Sequence, residues 1–145
     1  MIGIILTGHA NFASGLTSSL ELITGVPTNY FAVDFLTNHS TDDLANGINT
    51  SISKLKENGC SEILIFSDLL GGSPFKIAVE TKFKSDIKIE VLAGTNLGML
   101  IECTMTKDFV SNLDELVEKA IDTGKQQVQK YEFVERTEDV VEEGI

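Results

Sequence analysis

The amino-acid sequence predicts an α/β domain, an open doubly wound parallel sheet in the order 2-1-3-4 with helices on both faces. Three observations predict it. Strand-like and helix-like segments alternate four times, with short connections. The first strand-like segment is a short, almost continuous apolar run, as in a strand covered on both faces. The segments between strands carry apolar residues at a spacing of three and four, with start and stop signals of helices.

The elements follow in order. Ile2-Gly3-Ile4-Ile5-Leu6 is the first strand. Phe12, Leu16, Leu20 and Ile23 recur at helical spacing, and Gly25 with Pro27 ends that helix. Asn29 to Phe35, aromatic and β-branched, reads as the second strand. Ser40 and Asp43 have the spacing of a capping box, here for a helix with the apolar face Leu44, Ile48, Ile52 and Leu55. Asn58-Gly59 stops it. Glu62 to Ser67 is the third strand. Ser73-Pro74 opens the next helix, with Ser73 expected as N-cap and Pro74 at the first helical position. Ile87 to Ala93 is the fourth strand, followed by a helix through Leu97, Leu100 and Ile101. A last helix after Ser111 shows Leu113, Leu116, Val117, Ala120, Ile121 and Val128.

Residues 1–130 are thus expected to form one domain. Tyr131-Glu132-Phe133-Val134-Glu135 then alternates apolar and charged residues. Such a segment is expected to add to its own sheet edge, to join the sheet of a second subunit as an exchanged strand, or to fray. Residues 131–145 therefore read as a C-terminal strand and an acidic tail.

Charge and composition narrow the function. The 145 residues carry a net charge of −11, which repels phosphate backbones and speaks against nucleic acid as a partner. The same charge fits fast encounter with a basic partner protein, or simple solubility. No apolar run reaches the roughly 18 residues of a membrane span, and no leader pattern precedes the first strand, so the chain reads as cytoplasmic. Cys60 and Cys103 form no CxxC motif and read as reduced, structural thiols. No metal-ligand cluster or cofactor motif stands out.

The chemistry is expected after strands one and three, because open parallel sheets place their sites beyond the carboxyl ends of strands. Thr7-Gly8-His9-Ala10 follows the first strand, and Ser67-Asp68-Leu69-Leu70-Gly71-Gly72-Ser73-Pro74-Phe75 the third. Adjacent strands would bring His9 and Asp68 together. A carboxylate accepting from Nδ1–H fixes the tautomer, leaves the Nε2 lone pair outward, and stabilises the cationic ring formed when Nε2 attacks an electrophile. Gly71 and Gly72 allow close backbone approach, and the helix start at Ser73 offers free N–H groups to an anion. The Ser73 hydroxyl and Lys76 add to that pocket. Together they suit phosphoryl transfer through a phosphohistidine, and the absence of a Walker-type loop points to a phosphoprotein donor. His39, among Asn38, Ser40 and Thr41, reads as a solvated loop residue.

The blocks Gly8-His9, Asp68-Leu69-Leu70-Gly71-Gly72-Ser73-Pro74-Phe75, and Ala93-Gly94-Thr95-Asn96 with Met99-Leu100 carry a resemblance. In their order and spacing, over about the first 125 residues, the chain resembles the mannose-family IIA proteins of the phosphoenolpyruvate:sugar phosphotransferase system. The resemblance implies that His9 takes a phosphoryl group on Nε2 from the carrier HPr and passes it to a IIB component. In this family IIB in turn phosphorylates a sugar brought in by the membrane components IIC and IID. It also implies that Asp68 orients His9, that Ser73 lies near the phosphate, and that the protein is a homodimer with exchanged C-terminal strands. Two features depart from the family: Ala10 stands where many members have glycine, and the chain stops at Ile145 with no Ala/Pro-rich linker, which suggests a free-standing IIA with a separate IIB. Rival readings are the phosphocarrier subunit of dihydroxyacetone kinase and a regulatory or binding module of the same fold. A Ser73–His9–Asp68 hydrolase lacks the G-x-S-x-G elbow.

Overall fold

The computed structural model describes residues 1–135. Its elements are β1 (Ile2–His9), α1 (Phe12–Thr24), β2 (Tyr30–Phe35), α2 (Thr41–Glu57), β3 (Glu62–Phe66), α3 (Ser73–Lys84), β4 (Lys88–Leu92), α4 (Leu97–Thr106) and α5 (Leu113–Gln126). All four strands run parallel in the expected order β2-β1-β3-β4. None of the described helices is long and apolar enough to cross a membrane.

The central strand is apolar on successive residues because both of its faces are covered. Ile2, Ile4 and Leu6 point to one side with Leu64 and Phe66, under Leu20 of α1, Leu100 and Cys103 of α4, and Leu113, Leu116 and Ala120 of α5. Ile5, Ile63, Ile65 and Ile89 point to the other side, under Leu44, Ile48, Ile52 and Leu55 of α2 and Ala78 of α3. Burying each such Ile or Leu contributes roughly 1.5–3 kcal/mol. The capping box of α2 forms in both directions, Asp43 N–H donating to Ser40 Oγ at 3.1 Å and Ser40 N–H to Asp43 Oδ2 at 2.9 Å.

Several boundaries differ from the sequence expectation. β1 runs on through Thr7, Gly8 and His9, which pair with Val33, Asp34 and Phe35 of β2. The polar Thr7 is tolerated in a buried strand because its hydroxyl donates to Val33 O at 2.9 Å. β3 ends at Phe66, so Ser67 lies just beyond the sheet. Ser73 is the first helical residue of α3, and the cap is Gly72, whose backbone is extended (φ −70°, ψ 167°) and whose carbonyl accepts from Lys76 N–H at 2.9 Å. α5 stops at Gln126, leaving Val128 exposed outside it. Tyr131–Glu135 forms no strand within the single chain, and its apolar side chains Tyr131, Phe133 and Val134 are exposed. The acidic tail beyond residue 135 lies outside the described residues.

Candidate functional site

Because β1 and β3 are hydrogen-bonded neighbours, their carboxyl ends meet at one edge, where His9 is the last residue of β1 and Asp68 lies two residues past β3. Asp68 Oδ2 accepts twice from His9, from the backbone N–H at 2.9 Å and from ring Nδ1 at 2.7 Å. Its Oδ1 accepts from Leu69 N–H at 2.7 Å. Burial would raise the Asp68 carboxyl, but these donors from His9 and Leu69 outweigh it and hold the group below the usual carboxylate range. Asp68 is therefore ionised at neutral pH and can only accept. Nδ1 is then the donor, and in the neutral ring Nε2 keeps its lone pair.

The other features of the ring are set by its neighbours. Phe35, opposite His9 in β2, meets the imidazole edge-on with centroids 6.2 Å apart. Beneath the opposite edge lies Gly72, where a Cβ would stand 2.8 Å from His9 Cε1 and 3.5 Å from Nε2. The glycine at 72 is thus required by the ring itself, while Gly71 adopts a left-handed backbone (φ 79°) that favours glycine. The Cε1–Nε2 edge of the ring therefore lies against the cap residue of α3. We expect Gly72→Ala to push the ring off Asp68 and slow any reaction at Nε2 by tenfold or more. The fold should survive, since Gly72 is partly exposed. A folded variant with unchanged reactivity would show that the close approach does not matter.

Two helix N-termini flank His9, and they are not equivalent. At α1 the Asn11 cap makes no side-chain bond, but Asp34 reaches over from β2 and its Oδ1 accepts from Ser14 N–H at 2.9 Å. That N-terminus is filled by a carboxylate. At α3 the Gly72 cap brings no side chain, Pro74 has no N–H, and the first-turn amides of Ser73 and Phe75 have no carbonyl one turn earlier in the helix. An anion on Nε2 would be received there and repelled at α1. Ser73, half-buried, also lines a groove of about 370 Å³ with Thr41, Asp42, Lys76, Glu80 and Lys84.

The structure thus brings His9, Asp68, Gly72 and the α3 start together, with Gly71 and Ser73 on either side of Gly72. His9's ring makes its side-chain hydrogen bond to Asp68 alone among the described residues, so the hydrolase arrangement with Ser73 is not formed. Ala10 adopts positive φ (49°), which accounts for glycine being favoured there; Ala10 N–H still reaches Phe35 O at 2.8 Å. His39 is half-buried rather than solvated, its Nδ1 accepting from Leu36 N–H at 3.0 Å. Both thiols are buried, and burial pushes Cys103 up to about 12, so it is no nucleophile. No group of ligand side chains for a metal forms among the described residues. Sequence reasoning missed Asp34 and Phe35, whose partners are 20 and 26 residues away and leave no local pattern.

Comparison with known proteins gives a consistent result. Residues 3–121 match the family model described as "PTS system fructose IIA component". The chain is 34% identical to phosphotransferase system component EIIA from Streptococcus agalactiae, with a TM-score of 0.83, covering 90% of this chain and 97% of that one. It is 32% identical over 127 residues to the PTS system mannose-specific EIIAB component of Escherichia coli K12, covering 88% of this chain and 38% of that protein. It thus spans little more than a third of the length of that relative. It is 26% identical to the PTS system fructose-specific EIIA component of Bacillus subtilis, covering 90% and 91%.

Proposed function

The chain belongs to the mannose-type IIA family of the sugar phosphotransferase system, and from that membership we propose that it is a phosphocarrier with His9 as its transient acceptor. The observation that carries the reading is the 2.7 Å bond from Nδ1 to an ionised Asp68. It leaves Nε2 as a nucleophile beside an anion-receiving helix start. In the reaction the Nε2 lone pair attacks phosphorus of the donor's phosphohistidine. The new N–P bond forms as the donor's N–P bond breaks, and the donor imidazole leaves with the electron pair. The His9 ring keeps its Nδ1 proton and becomes cationic, and the Asp68 carboxylate offsets that charge. Phosphoryl oxygens face the amides of Ser73 and Phe75, with Gly71 and Gly72 permitting the approach and the Ser73 hydroxyl within the same turn.

The partners in this reading are HPr as donor, a IIB component as acceptor and, indirectly, the membrane components IIC and IID; family membership supports it, and with it a cytoplasmic carrier. Leu69 and Leu70, 61% and 75% exposed on the loop beside His9, supply an apolar rim for a protein partner to cover. Family membership favours this reading over the dihydroxyacetone kinase subunit. Incubation with phosphoenolpyruvate, enzyme I and HPr should add one phosphoryl group to the intact mass, and acid should remove it. An unchanged mass beside a working control protein would refute the carrier role.

Residues 131–145 are proposed as a second unit, a strand exchanged between two subunits with an acidic tail. Tyr131, Phe133 and Val134 expose apolar surface that pairing would cover. Light scattering should give the dimer mass for the full chain and the monomer mass after truncation at residue 130. A monomeric full chain would end this part of the reading.

A further inference from the structure

We propose that Ser67 and Thr95 are positioning residues for the His9–Asp68 pair, an inference that rests on the carrier reading above. β3 ends at Phe66, so the backbone that aims the Asp68 carboxylate lies beyond the last strand residue. Its orientation is set by the loop between β4 and α4. Ser67 N–H and Oγ both donate to Leu92 O, at 2.7 and 3.0 Å. Thr95 N–H and Oγ1 both donate to Ser67 O, at 3.2 and 2.8 Å. Gly94 N–H donates to Asp68 O at 3.0 Å. Ser67 is fully buried and Thr95 is 8% exposed, so water does not compete for these bonds.

The loop is anchored at its far end as well. Asn96 caps α4 through Met99 N–H at 3.1 Å and donates from Nδ2 to Gly124 O of α5 at 2.9 Å. The two hydroxyls therefore continue the β3–β4 ladder past the strand end and hand its rigidity to Asp68. A carboxylate 2.7 Å from Nδ1 tolerates little displacement before the ring is free to exchange tautomers. Ser67 and Thr95 touch no reacting atom, and they act through Asp68.

Thr95→Val removes the hydroxyl at nearly constant volume and keeps the Thr95 amide. Nitrogen-15 NMR of the His9 imidazole should show the Nδ1–H tautomer in the native chain and a shift toward a tautomer mixture in the variant. Phosphoryl acceptance from HPr should fall about five- to tenfold in rate, the scale of one hydrogen bond, with the apparent KM for HPr unchanged. Thr95→Ser, which restores the hydroxyl, should recover both signals. A folded Thr95→Val chain with native His9 nitrogen shifts and native rate overturns the proposal. Should Thr95→Val not fold, Ser67→Ala is measured instead, with the same two outcomes deciding. The NMR signal needs no donor protein, so failure of the carrier reading would appear separately, as a native chain that takes no phosphate.

Discussion

Replacing His9 by alanine is expected to abolish phosphoryl acceptance while leaving the fold in place. The proposed acceptor atom is Nε2, and no other described side chain offers a nucleophile in the same position. Rates should fall to the background of the assay, with no added mass after incubation with phosphoenolpyruvate, enzyme I and HPr. The fold should persist because the His9 side chain is 46% exposed and its ring bonds only to Asp68 among the described residues. Asp68 would still accept from the backbone N–H groups of His9 and Leu69. The stability change should thus stay within about 1 kcal/mol, as for exposed positions generally. The measurement is intact mass beside a thermal melt; a folded His9→Ala protein that gains acid-labile phosphate would move the acceptor elsewhere.

Asp68→Asn should slow acceptance on the order of 10²–10⁴-fold, the range over which a positioned acid–base group acts. Asp68 takes three N–H donors, and an amide offers only one oxygen in place of two. If the amide oxygen stays toward Leu69, the NH₂ faces Nδ1 and selects the tautomer with the proton on Nε2, which has no lone pair to attack. Docking of HPr should change no more than about twofold, since the Asp68 side chain is only 14% exposed. Equal rates for the two proteins would remove Asp68 from the mechanism.

The same substitution has a signature in acid. The folded Asp68 carboxyl is held below its ordinary value, so between the two values the unfolded chain binds more protons. The stabilisation is complete above the ordinary carboxylate range, about pH 4, and is lost as pH falls through the folded value. The native chain should therefore lead Asp68→Asn in melting temperature at pH 7 and lose that lead as pH falls below the ordinary carboxylate range. A difference independent of pH would show that the charge on Asp68 does not contribute.

Much of the architecture was legible before any coordinates. Ile2 to Leu6 is apolar on consecutive residues, which only a strand covered on both faces requires, and the alternation with helical periods then implies a parallel sheet. Ser40 and Asp43 announced their helix through a bond three residues long. Signals of this kind are local, and local physical chemistry decides them. The end of β1 was not legible, because Thr7, Gly8 and His9 break the apolar run and are kept in the sheet by β2, more than twenty residues away. Ser73 looked like a cap, because Ser-Pro is a common helix opening; the extended backbone of Gly72 takes the cap instead.

The site divides in the same way. His9, Asp68, Gly71, Gly72 and Ser73 could be selected from sequence because strand ends are where such sheets carry chemistry, and the residue types suit a held histidine beside an anion. What the sequence by itself determined was therefore the fold class, the strand order and the candidate residues that the strand ends bring together. Only the tertiary structure decided that Gly72 lies against the Cε1–Nε2 edge of the ring, that Asp34 fills the rival helix start at α1, and that Ser67 and Thr95 carry the ladder past β3. Each of these depends on contacts between residues distant in the chain, and they exist only once the sheet has set the relative positions of its strand ends.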